Sequence, residues 1–182
     1  MRAVARRASF LSCLAVSVAW GTAAPAQTTY KWSDIDCGQS RIASWPGLKC
    51  EATNVVTAEG NVGSFRQWST YGHTSEGYIQ IFLWEAQDSF GFINTSEKTA
   101  DFLKWFYANG KAATHFSPVA RLHNADYSTF RDGNYVCAGF RRVGEPRRGG
   151  YSWILGGILC PPLGGSLTND QVAQFMDRVR LQ

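Results

Sequence analysis

The run Tyr78-Ile-Gln-Ile-Phe-Leu-Trp84 constrains the fold more than any other stretch of the chain. Its β-branched and aromatic content favours a pleated strand. Alternate side chains of a strand leave opposite faces. Here Ile79, Ile81 and Leu83 mark one face, and Tyr78, Phe82 and Trp84 the other. A strand apolar on both sides belongs in the centre of a sheet that is covered above and below.

Two segments read as the helices that supply cover. Asn94 is placed as a cap, with Glu97 at capping-box spacing. Thr99, Phe102, Leu103, Phe106 and Tyr107 then recur at helical intervals, and Asn109-Gly110 offers a left-handed stop. This predicts a helix over 95–108, with its aromatic stripe in the core. In Leu167-Thr168-Asn-Asp-Gln171-Val172, Thr168 caps, Gln171 closes a capping box and Leu167 can staple to Val172. Val172, Phe175, Met176 and Val179 form one apolar face behind it.

Strands are expected over 51–58 and 63–71, with Glu59-Gly60-Asn61 as the turn between them. After Pro118 a three-strand meander follows: 119–131 with a possible bulge, 134–143, and 151–160. Asp132-Gly133 makes its tight turn, and residues 144–150 its longer one. Gly156-Gly157 within the last strand marks a bulge or a close backbone approach. Residues 27–50 read as an irregular opening segment. The fold class is α+β: a single antiparallel sheet of five to six strands with two packed helices, stabilised by disulfides.

The N-terminus carries Arg2, Arg6 and Arg7, then an apolar run from Ala8 to Trp20, then Ala24-Pro-Ala26. This is the pattern of a signal peptide, residues 1–26, cleaved after Ala26. The apolar run is too short to span a bilayer, and Cys13 sits mid-run without lipoprotein spacing. Residues 27–182 then form a single domain. Cleavage removes three of the 18 basic residues and leaves 15 against 14 acidic ones, so bulk charge gives no argument for nucleic acid. No other stretch is long and apolar enough for a transmembrane segment.

Four cysteines remain: Cys37, Cys50, Cys137 and Cys160. An even number in an exported chain implies two bridges. Of the three connectivities, Cys37–Cys50 and Cys137–Cys160 close short local loops, and the second pair falls near opposite in the expected hairpin. A zinc site is disfavoured, because no C-x-x-C or paired histidines accompany the cysteines. No metal or cofactor is expected.

Catalytic signatures are sparse. His73 stands in a glycine-flanked loop with Ser75 and Glu76, and His115 and His123 lie elsewhere; none adjoins a nucleophile motif. The carboxylate pairs Asp34/Asp36 and Glu85/Asp88 carry no mark of a facing pair. Asn94-Thr95-Ser96 fits a glycosylation acceptor but reads as the helix cap. Arg141, Arg142, Arg147 and Arg148 bracket a turn near Tyr151 and Trp153, an arrangement that could bind an anionic membrane surface, a sugar acid or an acidic partner. Of the tryptophans after residue 26, one or two are expected to be exposed, without forming a platform.

Cys137-Ala-Gly-Phe-Arg-Arg142, the following hairpin, Leu159-Cys160-Pro-Pro-Leu-Gly164 and the capped last helix together resemble small exported proteins of Gram-negative bacteria that have no assigned function. The resemblance covers the last third of the chain and implies a periplasmic location; it carries over no catalytic residue. The expected function is that of an exported, periplasmic or secreted, non-catalytic binding or accessory protein of the cell envelope, with an envelope component or a protein as partner. The alternative is a small hydrolase with a site around His73 or His115.

Overall fold

The computed structural model describes residues 31–43, 45–54, 56–57 and 63–182. The expected signal segment, its expected cleavage site and the turn expected at Glu59-Gly60-Asn61 lie outside the described residues. In chain order the strands are β1 (Trp32–Asp34), β2 (Lys49–Thr53), β3 (Val56–Thr57), β4 (Ser64–Thr74), β5 (Gly77–Ala86), β6 (Ala113–Thr114), β7 (Ala120–Leu122), β8 (Ala125–Asp132), β9 (Tyr135–Val143), β10 (Pro146–Arg147), β11 (Gly150–Tyr151) and β12 (Trp153–Cys160). The helices are α1 (Thr99–Phe106) and α2 (Asn169–Arg178), and one 3-10 turn covers Cys37–Gln39.

One antiparallel sheet runs β1-β2-β4-β5-β12-β9-β8-β6, with β3 also on β4 and β7 also on β8. Strands β10 and β11 form a separate small ribbon. The apolar run Tyr78–Trp84 lies in β5, paired on both sides along its length by β4 and β12. The sheet has ten strands, where the sequence predicts five or six. The additions are β1, β3, β6 and β7, each of two or three residues, too short to show an alternating pattern. Strand β7 comes from the stretch 119–131, which is not bulged but folded into a hairpin: Leu122 pairs with Ala125 across His123-Asn124. Both turn residues have positive φ, 47° and 61°, as a two-residue turn of the type I′ class requires.

The two faces of β5 reach different helices. Ile79, Ile81 and Leu83 join Phe140, Leu155 and Leu159 beneath Val172, Phe175 and Met176 of α2. Phe82 joins Ile154 and Ile158 beneath Phe102, Leu103 and Phe106 of α1. The sheet is thus a middle layer with one helix on each side. Gly156 and Gly157 pair in unbroken register with β5 and β9, so there is no bulge. They provide close approach instead. A Cβ at Gly156 would stand 2.6 Å from the Phe106 ring, and one at Gly157 would collide with the Phe140 ring on the opposite face.

The α2 capping box is present, with Thr168 accepting from the Gln171 N–H. For α1 the expected boundaries fail at both ends. The helix starts at Thr99, behind Lys98, which makes no side-chain cap. Asn94 Oδ1 accepts from Ser96 N–H in a local turn instead. The cause is tertiary: Ile93 exchanges backbone hydrogen bonds with Tyr151, at 2.8 and 3.0 Å, which holds this segment extended. At the other end Tyr107 is extended (φ −64°, ψ 129°). Gly110 does not adopt positive φ; a Cβ there would collide with the Lys104 carbonyl.

Both bridges form as expected, Cys37–Cys50 and Cys137–Cys160. The second joins adjacent strands, one step beyond the pair Leu159–Ala138. Among the described residues no helix is long and apolar enough to cross a membrane.

Candidate functional site

Eight residues make a helix only about 12 Å long, so α1 cannot cover its whole face of the sheet. It packs over β9 and β12, where Leu103 meets Gly139 and Phe102 and Phe106 meet Gly156. The same face of β2, β4 and the start of β5 is left open as a groove of about 880 Å³. Alternation along β4 places Gln67, Ser69, Tyr71 and His73 in its floor. Lys49 and Glu51 of β2 lie beside them, with Glu51 opposite Ser69 and Lys49 opposite Tyr71.

Two tryptophans form the walls. Trp105 projects outward from α1 and Trp32 stands on β1; they are 53% and 38% exposed. Both rings rest against Phe82, with centroids at 5.1 Å for Trp105 and 6.5 Å for Trp32. The expectation of one or two exposed tryptophans holds. They do not form a flat platform: their rings meet Phe82 at 58° and 90°, although the three residues come from distant parts of the chain.

Polar contacts order the floor. The Tyr71 hydroxyl donates to Glu51 Oε1 at 2.5 Å. That hydrogen bond, with burial and the carboxylate charge, pushes the Tyr71 pKa up to about 12. Gln80 closes the end of α1: its Nε2 donates to the Phe106 carbonyl at 2.8 Å, and its Oε1 accepts from Ala108 N–H at 2.9 Å. Gln67 is 2% exposed, and its amide nitrogen is buried without a hydrogen-bond partner among the described residues.

A second depression of about 580 Å³ shares His73, Tyr78 and Ala108 with the first and extends toward Tyr135 and Leu163. On its flank Tyr107 donates to Asp132 at 2.7 Å, and burial together with this bond holds the phenol above its ordinary value.

Of the residues singled out in the sequence, His73 lines both depressions, but it is exposed and its side chain makes no hydrogen bond among the described residues, its ring 5.2 Å from that of Tyr78. His115 lies outside both, with Nδ1 2.9 Å from Thr114 Oγ1. His123 pairs with Asp177 at 2.7 Å on the surface. No histidine among the described residues meets a hydroxyl and a carboxylate together. Three of the four acids are engaged: Asp36 caps the 3-10 turn, Glu85 pairs with Arg41, and Asp88 accepts from Ser64, Phe90 and Gly91, while Asp34 is exposed on β1. Those bonds hold the Asp88 carboxyl below its ordinary pKa.

The four arginines do not form one cluster. Arg141 points to the α1 side, donating to the Glu97 carbonyl at 2.8 Å and pairing with Asp126 at 3.5 Å. Arg142 points to the α2 side, donating to the carbonyls of Met176 and Val179. Arg147 donates to the carbonyls of Asp88 and Gly91. Arg148 is exposed at the turn.

The signal for the groove was the alternation Gln67, Ser69, Tyr71, His73 beside a strand apolar on both faces. A polar stripe next to an apolar one marks where the covering layer stops. No family model, curated protein or solved structure matches the chain.

Proposed function

We propose that this chain is an exported, non-catalytic binding protein of the cell envelope, and that the groove over β2, β4 and β5 is its ligand site. One observation carries the reading. The open half of the sheet combines two half-exposed tryptophans on a shared phenylalanine with a polar floor that includes an unpartnered buried amide. Ligand sites typically join apolar walls to a few placed polar groups in this way. Export is supported by the N-terminal pattern, by the two bridges and by the likeness of the C-terminal third to exported proteins.

The test is retention of the purified protein on envelope fractions, with peptidoglycan sacculi and outer-membrane fragments assayed separately. Wild type is expected to be retained on one of them, and a Trp32→Ala/Trp105→Ala double variant released. Equal retention of the two would remove the groove from the reading. Release of soluble fragments by wild type but not by His73→Ala would replace binding with hydrolysis.

A further inference from the structure

We infer that the occupant of the groove is a linear, largely uncharged glycan chain lying along β4. The inference rests on the reading of the groove as the binding site and names the chemistry of its ligand.

The walls and the floor ask for different things. Trp32 and Trp105 are 38% and 53% exposed at the groove, and an indole there suits a flat, non-polar surface with C–H bonds directed at the ring. The floor presents hydrogen-bonding edges. Glu51 has one oxygen held by Tyr71 and the other without a hydrogen bond among the described residues. The Gln67 amide nitrogen is buried without a hydrogen-bond partner among the described residues. A sugar ring answers both demands, with an apolar face and a hydroxylated edge.

Other occupants fit less well. An acyl chain would satisfy the tryptophans but cover the second Glu51 oxygen without giving it a hydrogen bond, which is unfavourable. An extended peptide binds a sheet by adding to a free edge. Here β4 is paired by β2 and β3 on one side and β5 on the other, so its backbone groups are taken. A polyanion needs a surplus of cations, whereas Lys49 and Glu51 balance each other in the groove.

The length of the site favours a chain over a single sugar. The step from Gln67 to His73 along β4 covers about 20 Å at the usual strand rise. At His73 and Tyr78 the second depression takes over.

The experiment is a titration of the exported protein, followed by intrinsic tryptophan fluorescence and calorimetry. The probes are neutral linear oligosaccharides of graded length: β-1,4-linked N-acetylglucosamine, β-1,4-linked glucose and α-1,4-linked glucose. At least one series is expected to bind, with affinity rising with length and little dependence on salt. Trp105→Ala and Trp32→Ala are each expected to weaken binding by about tenfold or more, as anchors of a binding site do. Both variants should still unfold in one cooperative thermal transition, since Trp32 and Trp105 are 38% and 53% exposed. Failure of all three series overturns the inference, as does tighter binding of an unstructured peptide or a fatty acid. If the double tryptophan variant still loses envelope retention in that event, the groove stands as the site and only the glycan assignment falls. If retention also survives the substitutions, both readings fall together.

Discussion

The Tyr71 hydroxyl donates to Glu51 Oε1 across the diagonal of two neighbouring strands, at 2.5 Å. The carboxylate favours the protonated phenol, so the Tyr71 pKa rises from 10.0 to about 12. A raised tyrosine pKa stabilises the fold fully below pH 10, and this contribution is lost as the pH climbs through about 12. An alkaline absorbance titration of wild type minus Tyr71→Phe should therefore isolate a phenol ionising near pH 12. Glu51→Gln should bring that midpoint down toward the ordinary value. No movement in Glu51→Gln would mean the bond is not made in solution.

Gly157 lies under Phe140, and Gly156 on the reverse face lies under Phe102 and Phe106. Gly157→Ala should destabilise by about 1–3 kcal/mol through overpacking, read as a lower urea midpoint at constant slope. Phe140→Leu in the same chain should recover part of that loss, giving a non-additive pair. Strict additivity would show that the ring and the glycine do not share the space.

Arg142 closes the last turn of α2 by donating to the carbonyls of Met176 and Val179 from a half-buried position. Burial lowers its pKa, and the neighbouring Asp177 partly offsets this. Arg142→Met is expected to cost about 1–3 kcal/mol in stability, as removal of a charged hydrogen-bond donor does. Arg148→Ala should stay within about 0.5 kcal/mol of wild type. Neither substitution should alter ligand binding in the groove. A loss of binding in the fully stable Arg148→Ala would restore the arginine turn as an interaction site.

Thr168 accepts from the Gln171 N–H at the start of α2. Thr168→Ala should lower stability by about 1 kcal/mol. Asn94→Ala, at the residue whose spacing imitates a cap, should cost less, because its side chain supports only the turn to Ser96. Thermal melts of the two variants side by side check the order.

The pair also shows what could be read from the chain in advance. Thr168 and Gln171 are three residues apart, and nothing else competes for them, so the local signal gave the right helix start. Asn94 and Glu97 carry the same spacing, but Ile93 is committed to Tyr151 across the fold, and the long-range bond wins. Both disulfides were legible because short loops and facing strands bring their partners together. The sheet's centre was legible from Tyr78–Trp84, whereas its two- and three-residue edge strands carried no pattern. His123-Asn124 hid a hairpin because two successive non-glycine residues at positive φ are uncommon and the pair lacks the glycine that marks such a turn. The groove was the hardest feature to foresee: Trp32, Phe82 and Trp105 belong to three elements and meet only once the sheet is assembled.

Arg148 sits in an exposed turn between the two halves of the Cys137–Cys160 bridge. A protease that cuts after it breaks the chain without releasing a fragment. Strands β9 and β12 remain bolted together by sulfur and by their own ladder, and each still carries its share of the two faces. A nick at this exposed position would therefore show on a gel only after the bridge is reduced.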